Sequence, residues 1–320
     1  MDRALPQSVN EFDLIARLTP TLATNPSVVV PAGDDCAVLE AGWPDRYLLF
    51  KTDAVVEGIH FTADTEPRRV GHKALARCLS DIAAMGGTPW SAVVTLALPD
   101  DWKVGWVEEC YVGLNTLASR YQVAIVGGET TTNPERLLLN IAALGTVPKD
   151  RCVSRAGAKA GDAIFVTGEL GGSLEGRHLD FAPRLSEAQW LASHFQIHSM
   201  IDLSDGLAGD LRHVLNSSHV GAELFTDSIP ISRAARLRSR SRASSKTPLE
   251  AALSDGEDFE LLFTLASKEA VPLLDAWKQA FPDLRLSCIG KVTAASGLIL
   301  RSKQGVQPLN ALGYVHFEKS

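Results

Sequence analysis

Acids set among apolar residues are where this chain could do chemistry. The segment Ile201–Leu211, IDLSDGLAGDL, carries Asp202, Asp205 and Asp210 between Ile201, Leu203, Leu207 and Leu211. Apolar positions at that density imply burial, and ionised carboxylates are expensive to bury without partners. Similar acids recur beside small residues: Asp34 and Asp35 after Gly33, Asp53 with Thr52, Glu57 and His60 nearby, Glu129 after Gly127 and Gly128, and Asp255, Glu257 and Asp258. Asp81 falls among Leu79, Ile82 and Ala83 in a helical pattern, where Asp is a poor interior residue. One Asp after a Gly is usually a turn or a helix cap. Five or six such acids gathered at loop ends repel one another unless cations sit among them. Hard divalent cations take oxygen ligands, and magnesium in phosphoryl-transfer sites is held by a few carboxylates plus substrate phosphates. Asp202 and Asp205, with Ser204 between, suit a strand end turning into a helix whose first N–H groups can meet a phosphate oxygen.

These acids need elements to position them. YLLFK (Tyr47–Lys51) reads as a buried strand, with Asp53 near its end. Glu66–Met85 has helical apolar spacing and stops at Gly86-Gly87. Strands follow at SAVVTLALP and VAIVGG, with a helix from about Lys103 to Tyr121 between them, and then at RLLLNIAALGTV. This alternation predicts an α/β or α+β domain ending near Pro148. Beyond PKDRCVSRAGAKAGD come a strand in AIFVTG, a turn at GELGG, a helix through GLAGDLRHVLN, a strand at GAELFT, a helix near Lys268–Ala280, and strands at LSCIGKV and GLILR. Two domains are therefore expected, residues 1–148 and 149–320. The basic, Ser-rich stretch Ser232–Thr247 reads as a solvated loop or helix end.

Other chemistries fit poorly. The five cysteines are scattered without CxxC spacing, which implies reduced thiols in a cytoplasmic protein and disfavours zinc. No Walker loop, protein-kinase motif set or GxSxG elbow occurs. With 31 basic against 38 acidic residues the formal net charge is −7, which argues against nucleic acid as the main partner and requires local positive charge for a phosphorylated substrate. No apolar run reaches the ~18 residues of a membrane span. The polar, then amphipathic start is unlike a signal peptide.

Taken in order, EFDLIARL, GDDCAV, TDAVVEGIHF, KALARCLSDIAAMGG, VGGETT, SRAGAKAGDAIFVTGELG, MIDLSDGLAGDL, SDGEDFELLF, IGKV and GYVHF resemble the thiamine-monophosphate kinase family, within the superfamily of aminoimidazole ribonucleotide synthetase and selenophosphate synthetase. The resemblance implies a two-domain fold with mixed sheets flanked by helices, a homodimer formed through the amino-terminal domains, and ATP in the cleft between domains. The implied reaction is direct transfer of the ATP γ-phosphoryl group to thiamine monophosphate with several Mg²⁺ ions. By matching position, Asp35, Thr52, Asp53, Asp81, Glu129, Asp202 and Asp205 would be metal ligands. Tyr111, Gly128, Glu129, Arg155 and Ser204 would contact ATP, and His60, Glu257 and Tyr314 the thiamine substrate. Three positions depart from the family pattern: Glu129 replaces an Asp, Asp255 replaces a Gly, and Lys51 replaces a Ser or Thr with an ammonium able to stand in for one magnesium ion or touch a phosphate. GSLEGRHLDFAPRLSEAQWL is also shorter than its family equivalent, as though a helix were missing. Two alternatives remain at this point: a relative acting on another acceptor, and a non-catalytic nucleotide- or metal-binding protein.

Overall fold

The computed structural model describes residues 11–241 and 245–309. Its elements run α1 (Glu11–Leu18), β1 (Val28–Val30), β2 (Ala37–Leu39), β3 (Arg46–Val56), α2 (Pro67–Ala84), β4 (Thr88–Leu98), α3 (Val104–Arg120), β5 (Ala124–Thr132), β6 (Leu138–Pro148) and β7 (Asp162–Thr167). They continue with α4 (Leu185–His194), β8 (Ile197–Asp202), α5 (Leu207–Ser218), β9 (Gly221–Phe225), α6 (Arg233–Arg240), α7 (Pro248–Ser254), β10 (Leu261–Ala266), α8 (Ala270–Ala280), β11 (Leu286–Thr293), β12 (Gly297–Ser302) and β13 (Gly305–Pro308).

Two mixed sheets result, as an α/β (α+β) chain of this pattern requires. The first has the order β1-β2-β3-β6-β4-β5, and the second β13-β12-β9-β11-β7-β10-β8. In the first sheet β4 and β5 pair in parallel through the α3 crossover, and in the second β12 and β9 are parallel. Strand β3 alternates cleanly: Leu49 and Val55 are buried while Phe50 and Thr52 are exposed. Side chains at i and i+2 share a face, so Lys51 and Asp53 point the same way as the core residues.

Helix α2 is buried along most of its length and packs between the first sheet and β8 with α4. A Cβ on Gly71 would stand 1.9 Å from the Cys110 carbonyl oxygen, so only glycine lets α2 and α3 approach this closely. One core joins the inner face of the first sheet, α2, α3 and one face of the second sheet, including the stacked rings of Phe165 and Phe263. A second core fills the other face of the second sheet, under α5 and α7.

Two strand ends differ from expectation. β3 runs on to Val56 and β5 to Thr132, so Asp53 and Glu129 lie within strands and not just after them. Glycine lowers strand propensity, but pairing with β4 carries β5 through Gly127 and Gly128. The basic stretch after Ser232 forms α6, whose Ser232 hydroxyl caps the Ala235 N–H.

Candidate active site

The acids distant in sequence converge where the two sheets meet. Asp35 comes from the loop between β1 and β2, Asp81 from the last turn of α2, and Asp202 from the end of β8. All three are buried, and each offers a carboxylate oxygen within 4.8 Å of the others. Gly206, at φ +102°, turns the chain from β8 through Ser204 and Asp205 into α5, a conformation that side chains rarely adopt. Asp81, Asp202, Ser204 and Asp205 line a cavity of about 830 Å³ together with Lys51, Asp53, Arg77, Arg155 and His213.

Cations in the wall compensate part of this charge. Lys51 Nζ lies 3.0 Å from Asp81 Oδ1. Arg155 donates from Nη2 to Asp35 Oδ1 at 2.6 Å, and its backbone N–H bonds Asp34 Oδ2 at 3.1 Å. Arg77 donates from Nη2 to Asp53 Oδ1 at 3.2 Å, and the Ser80 hydroxyl donates to Asp202 Oδ2 at 2.5 Å. Compensation is incomplete. Asp35 Oδ2 is buried with no hydrogen-bond partner. Burial pushes Asp81 well above the ordinary carboxylate range, with Lys51 pulling it down and Asp202 and Asp53 adding to the rise. Burial, then Asp35, raises Asp202 to about 7, against the Ser80 hydrogen bond and Lys51. Asp34 rises to about 6 for the same leading reason. An oxygen-only donor set, buried, under-compensated and with one oxygen unpaired, fits a hard divalent cation.

A second cavity of about 550 Å³ adjoins the first, and His60, Arg77, Ser204, Asp205 and Phe259 line both. Glu257 lines this pocket at φ +54° and forms an ion pair with the fully buried Lys73, whose ammonium also donates to the His60 carbonyl at 2.7 Å. The His60 ring accepts the Val56 N–H at Nδ1, 3.1 Å away, which fixes its proton on Nε2. Asp255 is clasped by Arg238 and by Lys246 at 3.0 Å, so two cations of the basic stretch hold the loop ahead of Glu257.

Of the expected site residues, Asp35, Asp53, Asp81, Asp202, Asp205, Arg155, Ser204, His60 and Glu257 therefore gather around these two cavities. Four others do not enter them within one chain. Thr52 is exposed on the other face of β3, where its hydroxyl donates to Asn140 Oδ1 at 3.0 Å. Gly128 and Glu129 are exposed on β5, the edge strand of the first sheet. Tyr111 is half-buried on α3 against the core. Tyr314 lies outside the described residues. Motif reading passed over Arg77, which lines both cavities, and Lys73, which pairs with Glu257 behind the second. Their signal was available: Lys73, Arg77 and Asp81 are four apart and share one helix face.

Residues 33–147 match the model of the AIR synthase related protein N-terminal domain, and residues 159–303 that of the C-terminal domain. A thiamine-monophosphate kinase of Rhodopirellula baltica is 42% identical over 303 residues, covering 92% of this chain and 93% of the relative. The thiamine-monophosphate kinase of Escherichia coli K12 is 36% identical, covering 96% and 98%. A solved structure described as "AaThiL complexed with AMPPCP and TMP" superposes with a TM-score of 0.82 at 29% identity, covering 98% of this chain and all of that one. With relatives of that identity spanning nearly its whole length, and its acids converging between the two matched domains, the chain belongs to the thiamine-monophosphate kinase family.

Proposed function

We propose that the chain transfers the γ-phosphoryl group of ATP to thiamine monophosphate, giving thiamine diphosphate and ADP. The observation that carries this reading is the shared wall: an acid-lined cavity opens beside a pocket holding Glu257, with Ser204 and Asp205 lining both. Two phosphate-bearing molecules can meet across such a wall. Among family members the names of relatives point the same way.

Phosphoryl transfer needs alignment and charge stabilisation more than covalent help. Asp35, Asp53, Asp81, Asp202 and Asp205 would hold Mg²⁺, which supplies the positive charge that draws the two anions into line. Arg155 keeps its charge at any working pH and forks onto phosphate oxygens. Ser204, at the entrance to α5, adds hydrogen bonding beside the helix N-terminus. In the second pocket the Glu257 carboxylate faces the cationic thiamine rings, and Lys73 holds it in place from behind. His60 offers an N–H at Nε2 to a substrate oxygen. No side chain is assigned as a nucleophile, and transfer is direct.

In this reading residues 1–148 carry most of the metal and ATP-phosphate site and form a homodimer, while residues 149–320 complete the nucleotide and substrate sites. Support for pairing comes from the first sheet, which exposes Phe50, Trp90, Val93 and Val126. Thr52, Gly128 and Glu129 are exposed on that same sheet, and Tyr111 is on the neighbouring α3, so a second copy would bring them to a composite ATP site. Five thiols without a disulfide are in keeping with a cytoplasmic enzyme. Among the described residues no helix is long and apolar enough to cross a membrane.

Incubation of the purified protein with ATP, Mg²⁺ and thiamine monophosphate tests the reading. Thiamine diphosphate and ADP are expected one for one. Orthophosphate in place of thiamine diphosphate would contradict it. Sedimentation analysis tests the pairing, with a dimer expected and its loss expected in Val93→Asp.

A further inference from the structure

Lys51 sits in an unusual place for an ammonium. It points inward from the middle of β3, beside a site whose chemistry suits divalent cations. Its Nζ lies 3.0 Å from Asp81 Oδ1, and Asp81 is one of the three buried acids whose oxygens lie within 4.8 Å of one another. A cation is therefore already fixed by covalent attachment inside the acid cluster.

We propose that Lys51 is a resident cation of this cluster: it takes the place of one divalent ion among Asp35, Asp81 and Asp202, so that these three acids hold a single ion until phosphate oxygens arrive. The inference rests on the divalent-ion reading given above. Counting formal charges in the three-acid cluster alone, Asp35, Asp81 and Asp202 bring three negatives, and their ion-pair partners Arg155 and Lys51 bring two positives. One divalent ion turns that deficit into a surplus of one. A second ion would pile up charge in a buried chamber, where unpaired charge is costly. The chamber then awaits anions, and a triphosphate and a monophosphate supply them. The buried, unpaired Asp35 Oδ2 offers that ion a ligand. Asp81 is thereby held in position before any ion arrives, because the ammonium occupies its Oδ1 side.

Calorimetric titration of the full-length, nucleotide-free protein with Mn²⁺ tests this, comparing wild type, Lys51→Met and Lys51→Arg. Wild type and Lys51→Arg should bind the same number of ions. Lys51→Met keeps the length of the side chain and removes its charge, so it should bind one ion more than wild type and hold its tightest ion about tenfold more tightly. Equal stoichiometry and affinity in Lys51→Met and wild type would overturn the role of Lys51 while leaving the ion site intact. No Mn²⁺ bound by any variant would remove the ion site and the role of Lys51 with it. Melting curves cover the case in which Lys51→Met folds poorly without metal. Added Mg²⁺ should then raise its melting temperature more than that of wild type, and an equal or smaller rise would equally overturn the proposal.

Discussion

Two groups of buried acids can be compared within this molecule. Asp35, Asp81 and Asp202 lie where the two sheets meet; Asp258 and Glu260 lie just before β10, facing the short segment ahead of α4. Glu260 is 1% exposed, and its two oxygens receive Arg184 at 2.7 and 2.8 Å, Arg177 at 3.1 Å and the Thr167 hydroxyl at 2.7 Å. Asp258 receives Arg177 at 2.7 Å and the Gly171 N–H at 2.8 Å. The first group has two cations, Lys51 and Arg155, for three acids, and it has mutual repulsion and an oxygen left bare. Burial raises a pKa in both regions, Asp258 to about 7 despite Arg177 and Asp202 to about 7, so a raised pKa does not tell them apart. The partner list does. Acids with a full set of donors hold the fold, and acids short of donors hold something that arrives later.

Asp202→Asn should separate the two roles most sharply. Turnover is expected to fall a hundredfold or more, on the order of what one lost electrostatic contact costs a transition state. Its melting temperature without metal should stay level or rise, because a repelling buried charge is gone. A loss of folding with turnover intact would erase the distinction.

Glu260→Gln should show the opposite balance. It leaves Arg177 with Asp258 alone and Arg184 with only Glu187, at 3.4 Å, so a stability loss of about 3 kcal/mol is expected in chemical denaturation. A change below about 0.5 kcal/mol would mean that surface water serves these arginines as well as Glu260 does.

The pH dependence sharpens the comparison further. A carboxyl group whose folded pKa lies above its unfolded value binds more protons when folded, so its stabilising share is present at low pH and lost as pH rises through the folded pKa. Asp202 and Asp258, both at about 7, therefore make the metal-free protein less stable at pH 8 than at pH 5. Mg²⁺ should restore only the Asp202 share. Thermal melts of Asp258→Asn should keep a Mg²⁺ response at pH 8, and those of Asp202→Asn should lose most of it. The reverse pattern would place the ion with the wrong acids.

The smallest effect is expected at Lys246, whose side chain is 42% exposed and shares Asp255 with Arg238. Lys246→Ala should cost less than about 1 kcal/mol by denaturation, as half-exposed ion pairs usually do. A larger loss would show that Lys246, rather than Arg238, holds the loop before Glu257.

Much of this was legible in the sequence. Asp81 stood out because an acid between Leu79 and Ile82 on a buried helix has few structural uses, and Asp202 because it ends an apolar strand beside Ser204, Asp205 and Gly206. The ends of β3 and β5 were not legible, since strand pairing with β6 and β4 carries them past Lys51 and past the two glycines. The opposite facing of Thr52 and Asp53 follows from strand alternation once β3 is known to run through both. The basic stretch after Ser232 looked solvated because nothing in its own residues shows that α6 and α7 pack together, which brings Arg238 and Lys246 to Asp255. Arg177 and Arg184 were hidden for the same reason, their carboxylate lying more than seventy residues away along the chain.

The most direct measurement of the central claim is anomalous scattering from crystals grown with Mn²⁺, a nonhydrolysable ATP analogue and thiamine monophosphate. Mn²⁺ peaks bounded by Asp35, Asp81 and Asp202 are expected, with both ligands' phosphates against them. Phosphates seated in the two cavities with no Mn²⁺ at those three carboxylates would contradict it.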